Sequence, residues 1–231
     1  MRVRATGARQ PAAARGDPGA LSGALVGISF IGGAGGGVAV ADHPYPRPGS
    51  TPEEIRRYFG ESSLPGRLSA TGQFISAAAL VRFTASVAEL AGRACPGGRN
   101  LRSAAIGGGG LAAASLATSG ACAVALTGRW EQQDASATAL HSRGFIAGGP
   151  VHGAAFGALV GALSLAGLRT GELPRPLAVT GLASAAAGLM SPLCLVTERA
   201  AVLIPAGRVT GLIVSGIAGA RLSRHDKGVR R

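Results

Sequence analysis

Arg82 and Glu89, with Ser86 between them, interrupt one apolar stretch of this chain, and His152 and Arg208 interrupt two others. Seven residues separate Arg82 from Glu89, so on an α-helix both fall on one face, about 10 Å apart along the axis. Charges of both signs and an imidazole that titrates near neutrality are the groups used by proton relays and ion-coupled carriers. Ionisable residues inside apolar spans are functional candidates by default. Blander roles compete with that reading. Glu89 lies within about a turn of the end of its stretch and could reach the interface, whereas Arg82 is deeper and reaches it less easily. A lone His in a span is more often a hydrogen-bonded packing residue than a ligand.

Other chemistry finds little support. Hydrolysis and group transfer usually need clustered His, Asp, Glu, Cys or Ser, and no HExxH, paired Asp or Ser-His arrangement is present. The chain is therefore not expected to be an enzyme. Cys95, Cys122 and Cys194 are odd in number and lack metal-site spacing. They read as small buried apolar residues rather than a disulfide framework or a zinc site. Gly107 to Gly110 with Leu111 and Ala112 formally fits G-x-G-x-x-A, but the fingerprint needs a preceding strand and a βαβ unit, and here Arg102 and Ser103 lead into an Ala-rich apolar run that continues past residue 120. No cofactor and no metal are expected.

The elements that must position the polar residues are six apolar stretches, at 20–41, 69–91, 103–127, 145–168, 177–197 and 200–220. A bilayer core about 30 Å thick needs roughly 20 helical residues, which each stretch supplies. The first, third, fourth and fifth carry no Asp, Glu, Lys or Arg. Each charge in the second and sixth costs about 2.5–3.5 kcal/mol at mid-membrane, so those two need neighbours to hold them. The expected fold class is all-α, a polytopic transmembrane bundle of about six spans. It comprises a disordered tail at 1–19, a membrane domain at 20–222 and a basic tail at 223–231.

Positive charge outside the spans sets orientation. Arg2, Arg4, Arg9 and Arg15 precede the first span; Arg93, Arg99 and Arg102 follow the second; Arg169 and Arg175 follow the fourth; Arg221, Arg224, Lys227, Arg230 and Arg231 follow the sixth. The opposite side holds Arg47, Arg56, Arg57, Arg67, Arg129, Arg143 and Arg199, accompanied by as many Asp and Glu residues. Both termini should therefore be cytoplasmic. The net charge of +12 and pI near 11.5 invite a nucleic-acid reading, but the charge is spread over four short segments and aromatics are 4%. With no stacking platform, no nucleic-acid partner is expected. Basic ends flanking apolar spans suit membrane lipids with anionic headgroups at the cytoplasmic face. The first span, which ends Ala39-Val40-Ala41, is long for a signal core and reads as uncleaved.

The longest external connection, 42–68, begins with Pro44, Pro46 and Pro48. Thr51-Pro52-Glu53-Glu54 then supplies a capping residue, proline at the first helical position and Glu three after the cap, predicting a helix at about 52–60. Ile55, Tyr58 and Phe59 give it an apolar face, to lie on the bilayer or to cover the bundle. Trp130 suits the membrane interface. Pro96-Gly97-Gly98 and Gly171 to Pro176 mark turns, and only Glu198-Arg199 separates the last two spans, predicting a tight hairpin. Gly153, Gly157 and Gly161 form GxxxGxxxG in the fourth span, and Gly23 and Gly27 a shorter version in the first. Such grooves mark helix-packing faces. Pro205 and Gly207 would loosen the sixth helix beside Arg208, unless that helix begins only near Arg208.

Pro46 to Gly92, Ile204-Pro-Ala-Gly-Arg208 and Gly216-Ile-Ala-Gly-Ala-Arg-Leu222 resemble a group of uncharacterised multi-span membrane proteins of high-G+C Gram-positive bacteria. That resemblance implies a plasma-membrane protein and assigns no catalytic residue. Two function classes remain beside the enzyme. One is a structural or accessory membrane subunit, docking a second copy or a membrane partner through its glycine faces. The other is a small-molecule or proton-coupled transporter using Arg82, Glu89, His152 and Arg208 around a cavity.

Overall fold

The computed structural model describes residues 18–61, 63–94, 97–128 and 134–224. Most of both expected tails, together with Cys95, Pro96 and Trp130, lies outside the described residues. These form α1 (Ser22–Ala39), α2 (Pro52–Arg56), α3 (Ser63–Arg93), α4 (Gly98–Leu126), α5 (Asp134–Ile146), α6 (His152–Thr170), α7 (Arg175–Met190) and α8 (Leu203–Arg224), with no strand among them. Six helices are long and apolar enough to cross a membrane: Gly19–Ala39, Ser63–Arg93, Gly98–Leu126, Ala135–Thr170, Arg175–Leu195 and Glu198–Arg224. The described residues form an all-α bundle of membrane-spanning character.

Several helices outrun the apolar stretches. The second begins at Ser63 and runs to Arg93, because leaving the helix at the hydrocarbon boundary would expose backbone groups that further turns satisfy internally. In the fourth, α5 continues through a π-helical turn at Ala147–Val151 into α6, making one helix of 36 residues, about 54 Å long. The hairpin before α8 is two 3-10 turns, Ser191–Leu195 and Glu198–Val202, rather than a simple reversal at Glu198-Arg199. Pro205 stands in the first turn of α8, just after the change from 3-10 to α winding at Leu203.

The bundle is built for hydrocarbon. Ile28, Ile106, Val179, Ile213 and Ile217 project outward, while buried hydroxyls join helices within. Ser76 donates to the Val26 carbonyl at 3.0 Å, Ser184 to Gly207 at 2.7 Å and Ser191 to Pro150 at 3.1 Å. Between lipid-facing helices, small residues and hydroxyl bonds supply the cohesion that apolar burial supplies in water. The core runs through Phe83 and Val87 of α3, Phe156, Leu159 and Leu163 of α6, and Val214 of α8. The fourth helix is the central one, with 67% of its apolar window buried against 33% for the first, fifth and sixth.

The 52–60 helix forms at the expected place. Thr51 Oγ1 accepts from the Glu54 amide at 3.3 Å, and a Glu54 carboxylate oxygen accepts from the Thr51 amide at 2.8 Å, closing a reciprocal cap. A π-helical turn, Arg57–Glu61, continues it. Ile55, Tyr58 and Phe59 are buried against Ala70, Ala123, Leu126 and Ala137, so the apolar face covers the bundle. The bond from the Thr51 backbone, then that from Ser50, holds the Glu54 carboxyl below its usual range. Because the folded value is the lower one, the cap is intact above the ordinary carboxylate range and is lost as pH falls through the depressed value. Thr51→Ala should cost this segment about 1 kcal/mol, read as faster amide exchange over residues 52–60. Glu54→Gln should remove the segment's acid sensitivity.

Candidate functional site

A cavity of about 270 Å³ lies at the end of the bundle that carries the 40–62 connection. Val38 of α1, Ser69 and Gln73 of α3, Ser119 of α4 and Ile204 of α8 line it, with Tyr45 and Tyr58 from the connection. Arg208 reaches it from the second turn of α8. Its Cζ sits 4.8 Å from the Phe30 ring centroid, a cation–π contact. Its Nη2 donates to the Gly148 carbonyl in a short hydrogen bond and to that of Gly149 at 3.4 Å.

The acceptors for Arg208 come from Pro150. Lacking an N–H, proline cannot make the α-helical bond to the residue four before it, and the chain widens into a π turn. The His152 amide then donates to Ala147 and Gly149. The shifted register tilts carbonyls toward α8, where the guanidinium takes two of them. Ser191 caps the Pro150 carbonyl from the other side. This explains why a cation is tolerated here, since ordered carbonyl dipoles replace part of its hydration.

The His152 imidazole is buried, with Nδ1 3.1 Å from the Ala112 carbonyl. Only a protonated nitrogen can donate to a carbonyl, which places the hydrogen on Nδ1. The ring stacks at 11° on Phe156, with centroids 5.5 Å apart, and at 11° against Phe30 at 6.5 Å. Arg208, Phe30, His152 and Phe156 thus form one row from the cavity into the core.

The expected polar set does not converge as a whole. His152 and Arg208 come together through Phe30. Arg82 and Glu89 lie on the exposed side of α3, and neither lines the cavity. Helix α3 buries Leu80, Phe83 and Val87, and a rotation of about 100° per residue puts Arg82, next to Phe83, off that face. Positions 78, 82, 85 and 89, spaced four, three and four apart, form the exposed stripe. Ser86, between them on the helix, is buried at the edge of that stripe. Among the described residues Arg82 and Glu89 form no ion pair with each other. Glu172 does lie 4.0 Å from Arg93, beyond the C-terminal end of α3 and α6.

The glycine grooves meet neighbouring backbone. A Cβ on Gly157 would lie 2.9 Å from the Ala185 carbonyl oxygen, and one on Gly161 would lie 3.3 Å from the Ala185 side chain, both in α7. Gly153 faces Ser191, Gly23 would meet the Ser215 carbonyl at 2.6 Å, and Gly27 stands in ordinary contact with Leu212. Further glycines take packing roles that sequence analysis did not give them, Gly188 and Gly207 among them. Gly188 of α7 would put a Cβ 2.7 Å from the Gly153 carbonyl oxygen, and Gly207 of α8 would put one 2.7 Å from the Gly188 nitrogen. Gly107 to Gly110 sit inside α4, a helix interior rather than a strand-to-helix turn.

Phe30, Gln73, Ser119 and Tyr45 also went unpredicted. Gly148-Gly149-Pro150 immediately before His152, within an apolar run, was the available signal for the π turn. Tyr45 keeps 47% of its surface accessible at the cavity, yet packs closely on Tyr58, Phe59 and His141. Desolvation in that cluster, and then the Tyr58 hydroxyl, push its phenol up to about 12. Burial raises Tyr58 as well. Both hydroxyls therefore remain protonated donors at neutral pH.

Fold and site define a class: a multi-pass, membrane-type helical bundle with a largely apolar cavity between its helices that ends on one arginine. Among known proteins, no family model, no curated protein and no solved structure matches the chain.

Proposed function

We infer that this is a multi-pass protein of the plasma membrane that binds a small molecule between its helices and carries it across. The observation that supports this reading is the cavity of about 270 Å³ ending on Arg208, an intramembrane cation held by backbone carbonyls. A charge that served packing alone would be matched by a carboxylate or replaced by an apolar residue, since burying it is costly. The broken winding at Pro150 beside it is the kind of irregular backbone that membrane proteins keep where a cavity is lined. Arginine-rich segments on one side favour a cytoplasmic location for both termini, with the cavity toward the exterior. The charge spacing of those segments also suits anionic headgroups. His152 and Arg208 form the working pair, and Arg82 and Glu89 lie outside it.

The test is solute entry into proteoliposomes, with a panel of small acids, amines, amino acids and sugars. At least one solute should enter faster than into protein-free vesicles, and Ala34→Trp, which fills the cavity, should abolish that entry. A panel that enters no faster than the blank would remove the carrier reading.

One observation favours a second reading, that of an accessory subunit. Arg82 and Glu89 occupy the outer face of a helix that otherwise meets lipid, where a partner helix would relieve the cost of exposing them to hydrocarbon. Migration well above monomer mass on blue-native gels, reduced by Arg82→Leu with Glu89→Leu, would support it.

A further inference from the structure

The chemistry of the cavity wall identifies the class of molecule it takes, an inference that rests on the small-molecule reading above. Arg208 is the charged residue of that wall, and no described Asp or Glu lines it. Of the three guanidinium nitrogens, Nη2 is engaged by the two glycine carbonyls and Nε is buried without a partner. No described group bonds Nη1. The carbonyls satisfy hydrogen-bond donors but contribute no net negative charge, so one positive charge remains uncompensated in a low-dielectric wall. Around it stand further donors, the Tyr45, Tyr58 and Ser119 hydroxyls, while the Gln73 amide nitrogen donates to Ser69 Oγ at 3.3 Å and its oxygen is a buried acceptor without a partner. The remainder is apolar and aromatic, with Phe30, Phe145, Leu116 and Ile204.

We propose that the cavity binds a small monoanionic organic acid, its carboxylate on Arg208 and its apolar body against Phe30, Phe145 and Ile204. One anionic charge neutralises the site, whereas two would leave an excess of the opposite sign in the same low-dielectric surroundings. With Nη2 engaged and Nε enclosed, Nη1 is the nitrogen left to meet the acid, and inorganic phosphate, partly dianionic at neutral pH, is disfavoured by its second charge. The acid could arrive dissolved in water or, as a fatty acid, from the bilayer, because the wall includes Val38, which is exposed on the outside of the bundle.

The test uses the full chain in lipid nanodiscs and isothermal titration. Acetate, butyrate and benzoate are each compared with the corresponding primary amide, and palmitate and inorganic phosphate form separate arms. At least one acid should bind ten-fold or more tightly than its amide, and phosphate should bind at least ten-fold more weakly than that acid. Arg208→Gln should erase the preference for acid over amide, and Arg208→Lys should keep part of it. If Arg208→Gln does not fold, Ala34→Leu, which narrows the cavity, should weaken acid binding at least ten-fold. Preference for palmitate over the short acids would place the source in the membrane and preference for the short acids in solution; either supports the proposal. Acids and amides binding equally well would overturn the anion assignment while leaving the small-molecule reading standing. Binding by neither, or equal binding in Ala34→Leu, would overturn the cavity reading and this proposal with it.

Discussion

Gly188→Ala is expected to destabilise the bundle, whereas Gly110→Ala, in an equally helical setting, should leave it unchanged or stabilise it. At Gly188 the α6, α7 and α8 backbones meet. Its Cβ would stand 2.7 Å from the Gly153 carbonyl oxygen and 3.0 Å from the Gly157 Cα, and the backbone cannot yield as a side chain would. Such overpacking costs about 1–3 kcal/mol. Gly110 has nothing within 4 Å of the same added atom, so alanine there gains helix propensity of up to about 1 kcal/mol. Unfolding of the purified protein in SDS, followed by circular dichroism, measures both. Midpoints shifting in the same direction would contradict the packing described here.

His152→Ala should be the most damaging single truncation in the polar row. The ring is buried between Phe30 and Phe156 and donates to Ala112, so alanine leaves a void and removes an interhelical hydrogen bond, although the Ala112 carbonyl keeps the Ser115 hydroxyl at 2.8 Å. In a membrane the unfolded helices also sit in hydrocarbon. The transfer contribution is therefore small, and lost packing sets the cost, on the order of 2 kcal/mol. Arg82→Ala, on the exposed stripe, should shift the same SDS midpoint by no more than about 0.5 kcal/mol. Equal losses in the two variants would mean that Arg82 is buried by something other than lipid, which favours the accessory-subunit reading.

The six helices and the capped segment at 52–60 were legible because each rests on a local signal. Apolar length sets a span, and Thr51, Pro52 and Glu54 each satisfy a backbone group within one turn. The site was half legible. Arg208 and His152 stood out as polar residues in apolar stretches, and the structure joins them. Arg82 and Glu89 gave the same signal, yet sequence does not reveal which side of α3 its neighbours occupy, and a turn of about 100° separates inside from outside. Phe30, Gln73 and Ser119 carry no distinguishing signal, since their role comes from three helices meeting. Pro150 offered one that the pattern of apolar residues obscured.

The account depends on the chain crossing a bilayer six times, with its cavity on the face opposite both chain ends. Single cysteines in a background without Cys95, Cys122 and Cys194, labelled by a membrane-impermeant maleimide, test this most directly. Ser50→Cys, beside the cavity connection, should react in intact cells, and Ser223→Cys, at the end of α8, should react only after permeabilisation. Reaction of both in intact cells, of neither until permeabilisation, or recovery of the protein in the detergent-free supernatant would contradict the account.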